Sequence, residues 1–406
     1  MAIIALFSGS YCCEQEVVRK IAAAAGCRLA TDRDVIEETS RRFSLEQRKL
    51  LQAMTRRASI FNTFTHEKER SLACLKCAVS DLLREENLLL AGFVSHLIPR
   101  EISHAMKICL IADLRYRTGV AVKEEKIAEK EAVKKIHKDD ESSAIWVEYL
   151  YGKSDPWAAE LYDLLIPMDK LTAEEAAQLV CENLGKEVLR VTDASRRAVE
   201  DYALACTVNL KLAEEGHTTP VAVRDGEVTV TIDKHVLMLS SLEDELGKIV
   251  RTVPGVSGVK IVVGPGFYQS DIYRKADFSL PTPSKLLLVD DEREFVQTLS
   301  ERLQMRHIDS AVVHGGREAL DVVEEDEPEV MVLDLKMPGI DGLEVLRRVK
   351  SEHPGVEIIV LTGHGSKEME ALCMEMGAYA YLEKPVDIDV LTKKMQEAYR
   401  KLKENK

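Results

Sequence analysis

Five residues suited to phosphoryl chemistry follow short apolar runs in the last third of this 406-residue chain. Residues 286–289 lead into Asp290 and Asp291, 330–333 into Asp334, 357–361 into Thr362, and 378–382 toward Lys384. Three carboxylates converging on one crevice repel one another, and a bound cation relieves that repulsion. An all-oxygen donor set suits Mg²⁺, which takes one or two carboxylates directly and keeps several waters. A divalent ion beside a carboxylate can bridge to phosphoryl oxygens and neutralise the charge that builds during transfer. Thr362 adds a hydroxyl donor and Lys384 a point charge, so the set describes an aspartate that accepts a phosphoryl group. Taken singly, each residue also reads as an acidic loop end, a strand cap or a surface lysine. The combination is what points to chemistry.

These residues meet only if the apolar runs are neighbouring strands. Runs at 286–289, 310–313, 330–333, 357–361 and 378–382 read as five strands, with helical patterns such as 294–305 and 342–352 between them. Such an alternation predicts an α/β fold, a doubly wound five-stranded parallel sheet covered on both faces. Its reactive crevice lies beyond the carboxyl ends of the strands. With these residues in place, the segment 285–403 resembles the flavodoxin-like receiver domain of two-component response regulators. The resemblance implies that Asp334 is the phosphoacceptor, that Asp290 and Asp291 hold Mg²⁺ beside it, and that Thr362 and Lys384 sense the phosphoryl group. It makes Tyr381 the switch aromatic, following Thr362 inward on phosphorylation, and a sensor histidine kinase the phosphodonor. Lys336 and His364 flank the site where the lifetime of the phosphorylated form is tuned.

The first part of the chain carries a second chemical motif. A strand at 3–7 is followed by the small-residue turn Ser8-Gly9-Ser10 and a helix through 24, the context of a phosphate-binding loop. With Asp32 to Ile36 and strands at 87–91, 107–112 and 162–166, this order resembles the cytidylate-kinase-like family, which implies a P-loop-kinase-like α/β domain over 1–192. The departures matter more. If Gly9 is the first glycine of the loop, Glu14 replaces the second, Gln15 the lysine and Glu16 the Ser/Thr. Gly92-Phe93-Val94 stands where the family has Gly-Arg-Gly, and Glu141-Ser142-Ser143 stands in the lid region 123–143 where an arginine is expected. Glu14 and Glu16 suit the helix dipole without any bound anion. Loss of point charges removes most of what a protein contributes to phosphoryl transfer. The expectation is a pseudokinase with no assigned nucleotide site; the alternatives are a receiver-regulated nucleoside monophosphate kinase and a nucleotide sensor. Asp32 and Arg33 read as nucleotide contacts or as an ion pair at a helix start. Arg115 and Arg117 read as phosphate ligands or solvated cations. Cys12 and Cys13 read as packing residues rather than a redox pair.

Between these parts, a helix at 193–215, a hairpin around Asp225-Gly226, a helix at 241–253 and a strand at 260–263 describe a small α+β domain. The order and the Pro254-Gly255-Val256 turn resemble the BON domain over 193–266, read here as a packing or dimerising module. Pro281 and Pro283 mark a linker at 267–284, ahead of the receiver segment 285–406. Composition narrows the partners. Lys plus Arg total 55 against 69 Asp plus Glu, a formal charge of −14 that repels a nucleic-acid backbone. No apolar run approaches the roughly 18 residues that span a bilayer, and the apolar start at Met1 reads as a strand rather than an export signal. Nine cysteines, an odd count, suit reduced thiols in a cytoplasm. Cys74-x-x-Cys77 has no second pair to complete a zinc site and reads as core thiols. A homo-oligomer is compatible with all of this.

Overall fold

A computed structural model describes residues 3–85, 87–233, 235–236, 239–264, 268–269, 282–306, 308–363 and 365–404. His364 and most of the linker expected at 267–284 lie outside the described residues. The chain divides into two units, Met1–Arg57 with Glu67–Ile272 and Ala58–His66 with Tyr273–Lys406. The segment 58–66, inside the 1–192 stretch in sequence, belongs by its contacts to the second unit.

In the first unit, strands β1 (Ile3–Ser8), β2 (Arg28–Thr31), β3 (Leu88–Ala91), β4 (Ala105–Ile111) and β5 (Leu164–Pro167) form one parallel sheet in the order β2-β3-β1-β4-β5. Residues 3–7 of the central β1 are fully apolar and buried, as a strand covered on both faces requires. The covering helices are α1 (Glu14–Ala25), α2 (Asp32–Phe43), α3 (Gln47–Thr55), α5 (Glu67–Leu82), α6 (Leu114–Glu125), α7 (Glu129–Tyr151) and α8 (Ala173–Leu184). Thr31 and Asp34 form a capping box that starts α2 immediately after β2. Cys74 and Cys77 are buried on α5, and all nine cysteines are free thiols.

Helix α9 (Asp193–Glu214) begins at a Thr192–Ser195 capping box and serves two cores. Val199 joins the cluster beneath β1 and β3, while Val208 and Leu212 join the cluster of the following hairpin. The Tyr202 hydroxyl donates to the Leu97 carbonyl at 2.7 Å. The hairpin is antiparallel β6 (Val221–Arg224) and β7 (Glu227–Ile232), with β9 (Gly258–Val263) parallel to β7 and α10 (Leu239–Arg251) packed on them. Two-residue strands β8 (His235–Val236) and β10 (Tyr268–Gln269) pair separately. The expected helix–hairpin–helix–strand order is present.

The second unit holds β11 (Leu286–Val289), β12 (Ala311–Val313), β13 (Val330–Leu333), β14 (Glu357–Thr362) and β15 (Ala380–Glu383), all parallel, in the order β12-β11-β13-β14-β15. Helices α11 (Arg293–Gln304), α12 (Gly316–Glu325), α13 (Gly342–Glu352), α14 (Lys367–Glu375) and α15 (Ile388–Glu404) cover it, joined by the one-turn α4 (Asn62–Thr65). Every residue of β11, β13 and β14 is buried, the physical origin of their near-continuous apolar runs. The fold is the doubly wound receiver sheet expected from the sequence. Among the described residues, no helix is long and apolar enough to cross a membrane.

Candidate functional site

Register in the second unit brings the acidic residues together. Val289 of β11 pairs with Leu333 of β13, so the next residue of each strand, Asp290 and Asp334, leaves the sheet side by side. The Asp334 amide donates to the Val289 carbonyl at 2.9 Å. One oxygen from each of Asp290, Asp291 and Asp334 lies within 4.8 Å of the others. Thr362 ends β14 opposite Glu383 of β15, and the Lys384 amide donates to the Thr362 carbonyl at 2.8 Å. The sheet thus sets Thr362 and Lys384 one strand apart.

Charge in this crevice is concentrated and desolvated. Asp290 and Asp334 are buried, and Asp291 is half-buried. The Lys384 ammonium donates to Asp290 Oδ2 at 2.6 Å, and lies 3.4 Å from Glu292 and 3.7 Å from Asp334 Oδ2. Burial raises the pKa of both Asp290 and Asp334 despite the opposing pull of Lys384. Burial works against the Lys384 charge, but Asp290, Asp334 and Glu292 outweigh it and its pKa is raised. Asp334 Oδ1 accepts from the Leu335 amide at 2.8 Å, which leaves Oδ2 toward the ammonium. Two buried carboxylates, a third beside them and all-oxygen donors fit a small hard cation such as Mg²⁺.

Residues not singled out in the sequence complete the site. Glu292 donates its amide to Asp290 Oδ1 at 2.9 Å, and the Phe295 ring lies 4.3 Å from the Lys384 ammonium. At Gly342 an added Cβ would sit 2.0 Å from the Asp334 carbonyl, so only glycine admits this close approach. The Asp341-Gly342 pair was the available signal. Tyr381 is half-buried against the cluster that includes Leu335, Met337 and Cys373, and burial raises its pKa. Thr362 is fully buried and Lys336 is exposed.

The crevice at the carboxyl end of β1 is different. Gly9 follows β1, but Tyr11 and Cys13 adopt positive φ of 62° and 57°, and the Cys13 side chain makes no capping hydrogen bond to α1, lying instead 3.4 Å from the Tyr116 hydroxyl. The Arg117 guanidinium donates to the Ser10 carbonyl at 2.8 Å, to Ser10 Oγ at 2.9 Å and to both oxygens of Asp140 at 3.0 and 2.6 Å. Arg117 is buried and paired within the chain, which corrects the reading of it as a solvated cation; Arg115 is exposed. A Cβ on Gly9 would meet Cys12 Sγ at 3.3 Å, Trp157 at 3.5 Å and Arg117 at 3.6 Å. Trp157 stacks on Phe7 with centroids 5.7 Å apart.

The remaining loop residues are equally committed. Asp32 makes no ion pair with Arg33; its oxygens accept from the Phe93 and Val94 amides at 3.0 and 2.9 Å. A Cβ on Gly92 would lie 2.3 Å from Asp32 Oδ2, so the Gly92-Phe93-Val94 loop is pinned to that carboxylate. Burial pushes Asp32 up to about 6, and burial with the Asp32 charge pushes Glu14 up to about 7. Gln15 and Glu16 are exposed. Cys12 is fully buried, its thiol pushed up to about 12 by desolvation, which fits packing and not thiolate chemistry. Glu141, Ser142 and Ser143 lie within α7, directly after Asp140.

The model of the response regulator receiver domain matches residues 286–396, and that of the cytidylate kinase-like family matches residues 3–170. Sporulation initiation phosphotransferase F of Bacillus subtilis (strain 168) is 33% identical over 121 residues, covering 30% of this chain and 97% of that protein. Response regulator MprA of Mycolicibacterium vanbaalenii is 35% identical over 119 residues, 29% of this chain and 52% of that protein. The chain thus spans about half the length of relatives of that kind. A solved receiver domain protein from Clostridium thermocellum aligns at 31% identity over 30% of this chain and 98% of its own, with a TM-score of 0.29. Segment 3–170 of the present chain is similar to the cytidylate kinase-like family, and through residues 286–396 the chain belongs to the response regulator receiver family.

Proposed function

We propose that the second unit accepts a phosphoryl group on Asp334 from a phosphorylated histidine of a sensor kinase. The observation that carries this reading is the buried Asp290–Asp334 pair with Asp291 beside it and Lys384 reaching both buried members. Asp334 Oδ1 is held by the Leu335 amide, so Oδ2 is the attacking atom. It forms the O–P bond of an acyl phosphate as the N–P bond of the donor breaks, and the electron pair returns to the imidazole nitrogen. When bound by Asp290, Asp291 and Asp334, Mg²⁺ supplies positive charge against the phosphoryl oxygens. Lys384 offsets the anionic excess, and the Phe295 ring steadies its ammonium. A cavity of about 350 Å³, lined by Phe295, Leu299, Val386 and Ile388 together with Glu294, Thr298 and Arg302, shares Phe295 with the surroundings of this lysine and gives a phosphodonor a mixed surface to rest on. Thr362 and Tyr381 transmit the change to the surface of β15 and α14. Incubation with labelled acetyl phosphate and Mg²⁺ tests the site. Label is expected on the wild type and absent from Asp334→Asn; a label retained by that variant overturns the assignment.

The same proposal makes the kinase-like segment a pseudokinase and the hairpin-bearing, BON-like segment a packing module that receives the signal. Support for the first lies in Cys12, Trp157 and Arg117, which lie against Gly9, and in Asp140, which pairs with Arg117. Support for the second lies in α9, whose two faces join both cores. A coupled assay with ATP and CMP or dCMP is expected to show no turnover. Turnover that survives Asp334→Asn but is lost on altering Gly9 to Glu16 establishes a nucleotide kinase instead.

A further inference from the structure

The second unit contains a segment that its sheet does not need for connectivity. Ala58–His66 is joined at one end to α3 and at the other to α5, yet its contacts are with the receiver. Phe61 is fully buried and shares a core cluster with Ala319 and Val323 of α12, Val345 and Val349 of α13, and Leu333 and Leu335 on either side of Asp334. Phe64 packs against that cluster, with its ring 6.1 Å from Phe61 in an edge-to-face pair. Ser59 Oγ donates to Asp326 Oδ2 at 2.7 Å, and the other oxygen of Asp326 accepts from Lys285 at 2.7 Å. A four-residue helix has too few hydrogen bonds to persist by itself. What orders it is the docking of two aromatic side chains three residues apart.

We propose that Ala58–His66 is a built-in ligand of the receiver core, and that its docking strength changes with occupancy of the phosphoryl site. The inference rests on the phosphoryl-accepting reading of Asp334. The physical connection is the shared cluster, since Leu335 follows the phosphoacceptor directly and packs with Phe61 in one apolar body. By reciprocity, whatever the phosphoryl group does to the segment, the segment does to affinity for the phosphoryl group. The segment is covalently continuous with the helices on either side of residues 58–66, so a change in its docking is felt at their ends.

Hydrogen exchange on the full-length protein tests both parts. The amides of Asn62, Phe64, Thr65 and His66 donate to carbonyls within the segment, so their protection reports whether it is docked. Slow exchange is expected in the wild type and fast exchange in Phe61→Ala. Ser59→Ala, which loses only the Asp326 bond, is expected to lie between them and serves if Phe61→Ala fails to fold. Fast exchange in the wild type, or no change in either variant, overturns the docking. Adding Mg²⁺ with beryllofluoride is expected to shift the rates at 62–66 by about fivefold or more, the lower end of ordinary coupling between sites. No such shift is expected in Asp334→Asn. Protection gained at 330–341 with no response at 62–66 overturns the linkage and leaves the phosphoryl site standing. If 330–341 does not respond either, the phosphoryl-accepting reading fails, and the variants alone decide the docking.

Discussion

Two five-stranded parallel sheets in this chain turn loops out at the carboxyl ends of their strands, and their crevices use charge in opposite ways. Beyond β11 and β13, like charges are crowded and only partly offset: Asp290, Asp291 and Asp334 face one lysine. Beyond β1, the buried cation already has its partners, because Arg117 is paired with both oxygens of Asp140 and bonded twice to Ser10. The first arrangement sets three carboxylates against a single ammonium. The second is satisfied by the chain itself. A shared architecture supplies both crevices, and the residues that line each give it a different balance of charge.

Breaking the lysine in one crevice and the arginine in the other sharpens this contrast. Lys384→Ala in the presence of a chelator leaves Asp290 and Asp334 buried without a counter-charge, and is expected to cost about 3 kcal/mol of stability. Urea titration measures the loss, and Mg²⁺ is expected to restore part of it by binding the folded state. Arg117→Ala is expected to cost about 2 kcal/mol, because it strands a partly buried carboxylate and the Ser10 groups. Here Mg²⁺ with ATP is expected to restore nothing, and calorimetry to give no binding heat. Recovery by nucleotide contradicts the self-satisfied character of this crevice.

A smaller effect separates the crevices by pH. Glu14 is held up to about 7 by burial and the nearby Asp32 charge. Between the ordinary carboxylate range and about 7, the folded chain therefore binds more protons at this position than the unfolded chain. Stability contributed by the protonated form is present at the acid end of that window and lost as pH rises through it. Glu14→Gln is expected to raise the melting temperature by a few degrees at about pH 8, with the gain shrinking toward about pH 5. An equal gain at both ends contradicts the raised pKa.

The receiver half was legible because every site residue stands at the end of a fully buried strand or just beyond its neighbour, so apolar runs located both sheet and chemistry. Strand bounds there agree with the sequence expectation to within about two residues. Other features left weaker traces. Edge strand β2 has exposed Arg28 and Leu29 and carries no apolar run. The Arg117–Asp140 pair joins two helices and depends on how α6 and α7 pack. Phe61 and Phe64 lie among small polar residues in a single helical turn, too short to show a period. The raised pKa of Glu14 arises from packing, and residue type alone predicted only a favourable helix start. The departures from a phosphate loop at Glu14, Gln15 and Glu16 were readable; what fills the space was not.

Peptide mapping of the full-length protein after reaction with a phosphohistidine donor in Mg²⁺ locates the phosphoacceptor. A single base-labile phosphoryl group is expected on the peptide that contains Asp334, none when the divalent ion is chelated, and none in Asp334→Asn. A phosphoryl group on another residue, or one that forms equally well in Asp334→Asn, rules out Asp334 as the acceptor.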